Sequence, residues 1–177
     1  MRILSGLILL VVAGSFLASC GSTSQETATL ELSTKVDNDM GMFFEGPNTF
    51  QAQYNVDLVS LIEGKEITAA DIKSIKVSSA TINVSKNDSL DLTSFNSAAL
   101  QLMSNNEDIE MTSFAVLNPI EQEGDEVALN VSTEADLAAF FKEDVMTFVL
   151  DLDLKEENYF ESMMCDIKLE LNLEIKN

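Results

Sequence analysis

A strict two-residue alternation near the C-terminus limits the fold of this chain more than any other feature. From Cys165 to Ile175, every odd position carries an apolar side chain and every even position carries a charge or an amide. Successive side chains of an extended strand point to opposite faces, so this period is typical of a strand with one face in a core and the other in water. Cys165 occupies one of the apolar positions, and we interpret it as a buried structural thiol rather than a reactive one.

The same period recurs along the chain and predicts about eight strands. The seven further segments are marked by Leu30, Leu32 and Val36, and by residues 50–58, 75–84, 98–102, 109–117, 127–131 and 146–154. The apolar positions change parity at Ser78 and Ser79, which predicts a β-bulge. The turn-forming stretch 105–108 predicts a hairpin between the fourth and fifth strands. The acidic stretch 156–158 is expected to turn the seventh strand back into the eighth.

The fold class follows from what separates the strands. No repeated helical crossover lies between them, which favours an antiparallel β-sandwich of about eight strands, with a closed β-barrel as the alternative. Two short helices are expected between strands. Thr68 with Asp71, and Thr133 with Asp136, each place a hydroxyl at a helix N-cap and a carboxylate three residues later.

The N-terminal segment has the layout of a cleaved export signal. Met1 and Arg2 give a positive start, residues 3–17 form a mostly apolar run, and small residues follow at positions 18 and 19. A membrane span needs about twenty apolar residues. The run is therefore better explained as a secretory signal than as a transmembrane helix.

The tetrapeptide Leu17-Ala18-Ser19-Cys20 that ends this run resembles the lipobox of bacterial lipoproteins. The resemblance implies cleavage before Cys20, a diacylglycerol on its sulfur and acylation of the new amine. Residues 1–19 are then a signal peptide, residues 20–26 the lipidated cysteine and a tether, and residues 27–177 a single β-sandwich domain. Two or three acyl chains hold a protein on a bilayer durably, so we expect a lipid-anchored protein of the bacterial cell envelope. Gly21, rather than Asp, resembles outer-membrane sorting and favours the outer membrane.

The charge balance excludes one class of partner. Arg2 is the only arginine and would leave with the signal, so the mature chain would carry nine lysines and thirty carboxylates, a formal charge of −21. Nucleic-acid binding needs clustered cations that neutralise phosphates, so we expect no nucleic-acid partner. The same charge would repel anionic lipid, so the expected contact with the membrane is made through the N-terminal lipid.

Catalytic and metal-binding patterns are missing from the sequence. There is no histidine, the side chain most used as a general base near neutral pH, and no glycine-rich phosphate loop or zinc-ligand spacing. We therefore expect a non-enzymatic protein without a cofactor or a metal.

The loop from Asp37 to Glu45 offers oxygen ligands of the kind calcium requires, but an acidic turn is the favoured interpretation. Asp88-Ser89-Leu90 resembles an O-glycosylation sequon of Bacteroidota envelope proteins, which makes Ser89 a candidate modification site.

One loop supplies the candidate contact residues, and it leads to two hypotheses for function. Met40, Met42, Phe43 and Phe44 form an apolar cluster; we interpret it as a plug over one end of the sandwich, whereas an exposed cluster would contact a partner or a membrane. The favoured function is binding or scaffolding, with another envelope protein as partner. The alternative is a carrier of an apolar ligand, which needs an interior cavity of roughly 300 Å³ or more.

Overall fold

The computed structural model describes residues 23–37, 43–62, 67–84, 91–121, 124–157 and 162–176. Eight strands account for most of them. The strands are β1 (Thr23–Asp37), β2 (Gly46–Asn55), β3 (Ile72–Val84), β4 (Phe95–Met103), β5 (Thr112–Leu117), β6 (Glu126–Val131), β7 (Val145–Leu154) and β8 (Ser162–Lys176). One α-helical turn, α1, spans Leu58–Leu61, and 3₁₀ turns span Leu92–Ser94 and Phe140–Lys142.

The eight strands form one antiparallel sheet in the order β1-β8-β3-β6-β5-β4-β7-β2. Four strands make each half of this sheet, and the halves are joined where β5 meets β6 through the pairs Ala115–Val131 and Val116–Asn130. The chain changes half at every connection except the β4–β5 hairpin, which is the strand order of a jelly roll with two Greek keys. The predicted all-β antiparallel class is confirmed. The sheet curls around its core, and its edge strands β1 and β2 are not paired with each other, so the described strands do not close a barrel.

Both halves bury one face against a shared core. In β8 the odd residues from Met163 to Ile175 are buried, and in β7 the even residues from Met146 to Leu154 are buried. The ring of Phe148 meets those of Tyr54 and Phe114 edge-on, with centroids 6.2 and 6.5 Å away. Each fully buried side chain of this size contributes about 1.5–3 kcal/mol to the free energy of folding through the hydrophobic effect. The buried apolar rows that the alternation marks are therefore the main source of stability.

Two local predictions are confirmed. The register between β3 and β8 shifts between Val77 and Ser79, where the parity change predicts a bulge. Strands β4 and β5 pair as a hairpin. Its turn is closed by Asn106, whose side-chain oxygen accepts from the N–H of Asp108 at 3.1 Å and whose carbonyl accepts from the N–H of Ile109 at 3.0 Å.

The expected return of β7 directly into β8 is wrong. Strand β7 lies between β2 and β4, whereas β8 lies between β1 and β3, in the other half of the sheet. Both strands bury a complete row of apolar side chains, so each takes a central position with two neighbours. The chain after Leu154 therefore crosses between halves instead of forming a hairpin.

The two helices expected at Thr68 and Thr133 do not form. Residues 68–71 form a turn, in which Asp71 accepts hydrogen bonds from the N–H and the hydroxyl of Thr68, at 2.8 and 2.7 Å. The same bonds that cap a helix can close an isolated turn, and β3 begins directly afterwards. The second helix does not begin at Thr133; only Phe140–Lys142 is helical, and no side chain caps this turn.

One helical turn forms where the sequence predicts the end of a strand. The alternation of the second predicted strand extends to Leu58, but β2 ends at Asn55. Asp57 accepts hydrogen bonds from the N–H groups of Val59 and Ser60, at 3.1 and 3.2 Å, and thereby caps α1. A carboxylate at an N-cap favours the end of the strand here because it accepts hydrogen bonds from the first backbone N–H groups of the helix, which have no partner within the helix.

Candidate functional site

The strand directions define two ends of the sheet. Thr23, the first residue of β1, is paired with Lys176, and the last residue, Asp37, is paired with Ser162. We call the end at Thr23 the proximal end and the end at Asp37 the distal end. Strand β1 has 15 residues, and at about 3.3 Å per residue the two ends lie about 46 Å apart.

The proximal end follows the predicted lipidation site directly. Cys20 lies outside the described residues, three positions before Thr23. Residues 23–26, which the sequence assigns to a tether, belong to β1 and pair with the last residues of β8. A lipid on Cys20 would therefore be attached almost directly to an edge strand of the sheet.

The predicted contact loop lies at the distal end, between β1 and β2. Met40 and Met42 are outside the described residues. The side chain of Phe43 is only 2 % exposed and packs on Phe50 with ring centroids 5.4 Å apart, whereas Phe44 is 48 % exposed. The described part of the cluster is thus divided between one ring that covers the core and one that faces solvent.

Hydrogen bonds fix the backbone beside the exposed Phe44. The Asn48 side-chain amide donates to the carbonyls of Phe44 and Gly46, both at 2.9 Å. Gly46 has a φ of +97°, a conformation that glycine adopts readily and other residues rarely do. Phe44 is therefore presented from a defined turn.

The two halves of the sheet differ sharply in charge. Strands β1, β3, β6 and β8 contain twelve charged residues. Strands β2, β4, β5 and β7 contain two, Asp151 and Asp153. The Asp151 carboxylate accepts from Thr49 at 2.5 Å and from Gln101 at 2.6 Å, so it lies in a cross-strand ladder of uncharged polar groups.

Three grooves lined by described residues lie on the charged half of the sheet. The first, of about 570 Å³, is lined by side chains of β1, β3, β6 and β8, among them Lys168, which pairs with Glu31 at 3.2 Å. The second, of about 720 Å³, runs between β1 and residues 60–62 after α1, and the third, of about 290 Å³, includes Lys76 and Glu174. All three are open to solvent and mainly polar, and an exposed ion pair such as Lys168–Glu31 contributes little binding or folding energy.

The shifted pKa values belong to groups that close turns or lie in the core. A side-chain hydrogen bond from Ser60 lowers the pKa of Asp57, and one from Thr68 lowers the pKa of Asp71. Burial, followed by the charge of Asp166, raises the pKa of Cys165 to about 12. The thiol therefore stays protonated, and its predicted burial is confirmed.

A further feature of the site is the free edge of β2, which we did not expect from the sequence. The N–H of Val56 donates to the carbonyl of Asp144 at 2.9 Å, in register with the β2–β7 pairs. Because antiparallel strands alternate which residues bond to a given neighbour, the even residues of β2 direct their backbone groups to β7 and the odd residues direct theirs away. Pro47 fits this assignment, since its missing N–H falls on the free side. A signal was present in the sequence: no residue of Gly46–Asn55 is charged.

The described ranges contain no helix long and apolar enough to cross a bilayer. In the same part of the chain, no three His, Cys, Asp or Glu side chains are grouped so as to hold a metal ion. The loop 38–42 and the candidate glycosylation site Ser89 lie outside the described residues.

Comparison with known proteins yields structural likeness only. No protein-family model matches the chain, and no curated protein matches it significantly. The decameric BFDV capsid protein is 5 % identical, covering 86 % of this chain and 99 % of its own, with a TM-score of 0.32. Desmodium yellow mottle tymovirus is 6 % identical over 99 % of this chain and 97 % of its own, at a TM-score of 0.28. Turnip yellow mosaic virus is 7 % identical over 100 % of this chain and 91 % of its own, at a TM-score of 0.27. At these scores the jelly-roll assignment depends on the strand order alone.

Proposed function

We propose that this protein is a lipid-anchored, non-catalytic binding or scaffolding protein of the bacterial cell envelope, and that the acylated Cys20 holds its proximal end at a membrane. The observation that carries the proposal is the position of Cys20, three residues before β1. Three residues span at most about 10 Å, so an anchor there leaves the sheet little freedom to move away from the bilayer.

This attachment gives the protein a direction. Strand β1 leads from the anchor to the distal end, about 46 Å away, where Phe44 is exposed. The formal charge of the whole chain is −20, and anionic lipid headgroups repel a body of that charge. The distal loops are therefore the part of the domain presented to a partner.

A binding role is supported by exposed surface rather than by an enclosed site. Besides Phe44, the half of the sheet formed by β2, β4, β5 and β7 is suited to a protein partner, because its only charged residues are Asp151 and Asp153 and charged residues are depleted at the centres of interfaces. Among the described residues the carrier alternative has no such support, because the three grooves that they line are open, mainly polar and on the outer surface.

The anchor is tested by mass spectrometry of protein extracted from cell membranes. We expect a mature chain that begins at Cys20 and carries acyl groups, and we expect Cys20→Ala to abolish the acylation. A mature chain that begins elsewhere, or an unmodified Cys20, would overturn the proposal.

The direction of the protein is tested by a photo-crosslinking amino acid placed at either end in intact cells. Position 44 is the distal site and position 59, where Val59 is 60 % exposed at the proximal end, is the matched control. We expect a protein adduct from position 44 and none, or a lipid adduct, from position 59. The reverse pattern contradicts the orientation.

A further inference from the structure

We propose that the free edge of β2 binds an extended strand of a different protein, and that this strand is uncharged, with apolar side chains on its inward face. The inference deepens the proposed binding function and rests on it. It adds the place of contact, the mode of recognition and the chemistry of the partner segment.

The backbone of β2 carries the first part of the case. The odd residues direct their backbone groups away from β7, which leaves the N–H donors of Thr49, Gln51, Gln53 and Asn55 on the free side. No described strand pairs with β2 on that side, and all four residues are exposed. A row of unpaired N–H and C=O groups is a template for an additional strand.

Within the part of the chain that the structure describes, the edge also lacks the usual protection against such pairing. Natural edges are guarded by charged side chains, bulges or covering segments. The other edge strand, β1, carries four charged residues and contacts both α1 and β2 without pairing with β2. Strand β2 carries none, pairs with β7 without a bulge over its ten residues, and has a single proline at its second position.

The side chains of β2 define the chemistry of the added strand. On the inward face, Phe50, Ala52 and Tyr54 are only partly buried, whereas their cross-strand partners on β7 are fully buried. An apolar side chain at every second position of an added strand would cover this open margin of the core. On the outward face β2 presents Pro, Thr, Gln and Asn, and the strongly negative chain repels an acidic segment.

Charge and geometry favour a different protein over a second copy as the occupant. Two copies would each bring a formal charge of −20. Antiparallel pairing of two β2 edges would also invert one copy relative to the other, so that their Thr23 ends would point in opposite directions. Two copies anchored through Cys20 and standing upright on one membrane cannot adopt that arrangement.

The test uses the full chain purified in detergent and a synthetic ten-residue peptide of alternating Val and Thr, acetylated and amidated so that it carries no charge. We expect saturable binding, together with slowed hydrogen exchange at the amides of Thr49, Gln51 and Gln53. A peptide with two of the threonines replaced by Glu should bind more weakly, and the difference should shrink as salt is added.

A matched pair of variants isolates the backbone contribution. Gln51→Ala removes the side chain and keeps the N–H, whereas Gln51→Pro also removes the N–H that faces the free edge. We expect at least tenfold weaker peptide binding for Gln51→Pro than for Gln51→Ala. The β2–β7 ladder should survive, because Pro47 already occupies a position of the same parity; Thr49→Pro supplies a second variant of this kind. Hydrogen exchange across β7 verifies that each variant is folded.

Three results would overturn the proposal: equal binding by Gln51→Ala and both proline variants, protection of amides other than those of the free edge, or a dimer that Gln51→Pro dissociates. The last result would assign the edge to a second copy. Acylation does not enter the peptide measurement. A negative result here therefore leaves the lipid anchor untouched, and an unmodified Cys20 leaves the strand test valid.

Discussion

The carboxylate of Asp136 accepts a hydrogen bond at 3.0 Å from the backbone N–H of Ile75, although 61 residues separate the two in sequence. The same oxygen accepts from the N–H of Ala138 at 3.0 Å, and the N–H of Leu137 donates to the carbonyl of Ile75 at 2.8 Å. The segment after β6 is thereby fixed to the start of β3, where Leu137 fills the proximal end of the core.

Removal of this carboxylate should loosen the proximal end. Asp136→Ala leaves two backbone donors without their acceptor, and we expect a loss of about 1–3 kcal/mol in the free energy of unfolding. Urea denaturation of the domain measures the loss. Glu134→Ala, on an exposed side chain two residues earlier, is the control and should change stability by no more than about 0.5 kcal/mol.

The contribution of Asp136 should also depend on pH in a defined direction. Burial alone would raise its pKa, but the hydrogen bonds from Ile75 and Ala138, with smaller effects of Ser74 and Lys76, lower it overall. A carboxyl with a lowered folded-state pKa stabilises the fold above its unfolded-state pKa, and the stabilisation is lost as pH falls through the folded-state value. The stability difference between the wild type and Asp136→Ala should therefore shrink below about pH 4. A difference that grows on acidification contradicts this assignment.

A second prediction compares the two faces of β8. Leu171 is fully buried, so Leu171→Asp places an unpaired charge in the core and should cost more than about 4 kcal/mol, enough to unfold a domain of ordinary stability. Asn172→Asp makes a similar change on the exposed face and should be mild. Circular dichroism and urea midpoints distinguish the outcomes, and similar losses for both variants would contradict the assigned faces.

Features of the fold and of the candidate site can be predicted from the sequence where they depend on interactions between residues close together in the chain. The strands, the bulge at Ser78 and the buried Cys165 follow from which side chains face the core, and this information is local. The separation of β7 from β8 does not follow from local information. Several strands with apolar faces could pair with either one, and the complete set of eight strands decides which pairs form. The Thr68–Asp71 bonds fit a turn and a helix cap equally, and only the start of β3 decides between them. The contact loop was located by composition, whereas the free edge of β2 required the pairing order.

The buried thiol gives a third prediction. Burial, aided by the charge of Asp166, raises the pKa of Cys165 to about 12, so almost none of it is thiolate near neutral pH and alkylation should be slow. Iodoacetamide at pH 8 should leave Cys165 unmodified in the native domain and modify it fully in urea. Peptide mass spectrometry measures the modification, and a Cys20→Ala background removes the only other cysteine. Rapid modification of the folded domain would show that Cys165 is accessible.

The turn that presents Phe44 gives the last prediction. Gly46 has a φ of +97°, and a Cβ added there would meet no atom within 4 Å. Gly46→Ala therefore has no packing cost, and any loss reflects backbone strain alone, which we expect to be about 1–2 kcal/mol. Asn48→Ala removes the amide that donates to the carbonyls of Phe44 and Gly46 without changing any φ, and it should cost about 0.5–1.5 kcal/mol. Because both changes act on one turn, the double variant should lose less than the sum of the two single variants. Thermal unfolding of the four proteins measures this coupling, and strictly additive losses would mean that the conformation of Gly46 and the Asn48 hydrogen bonds are independent.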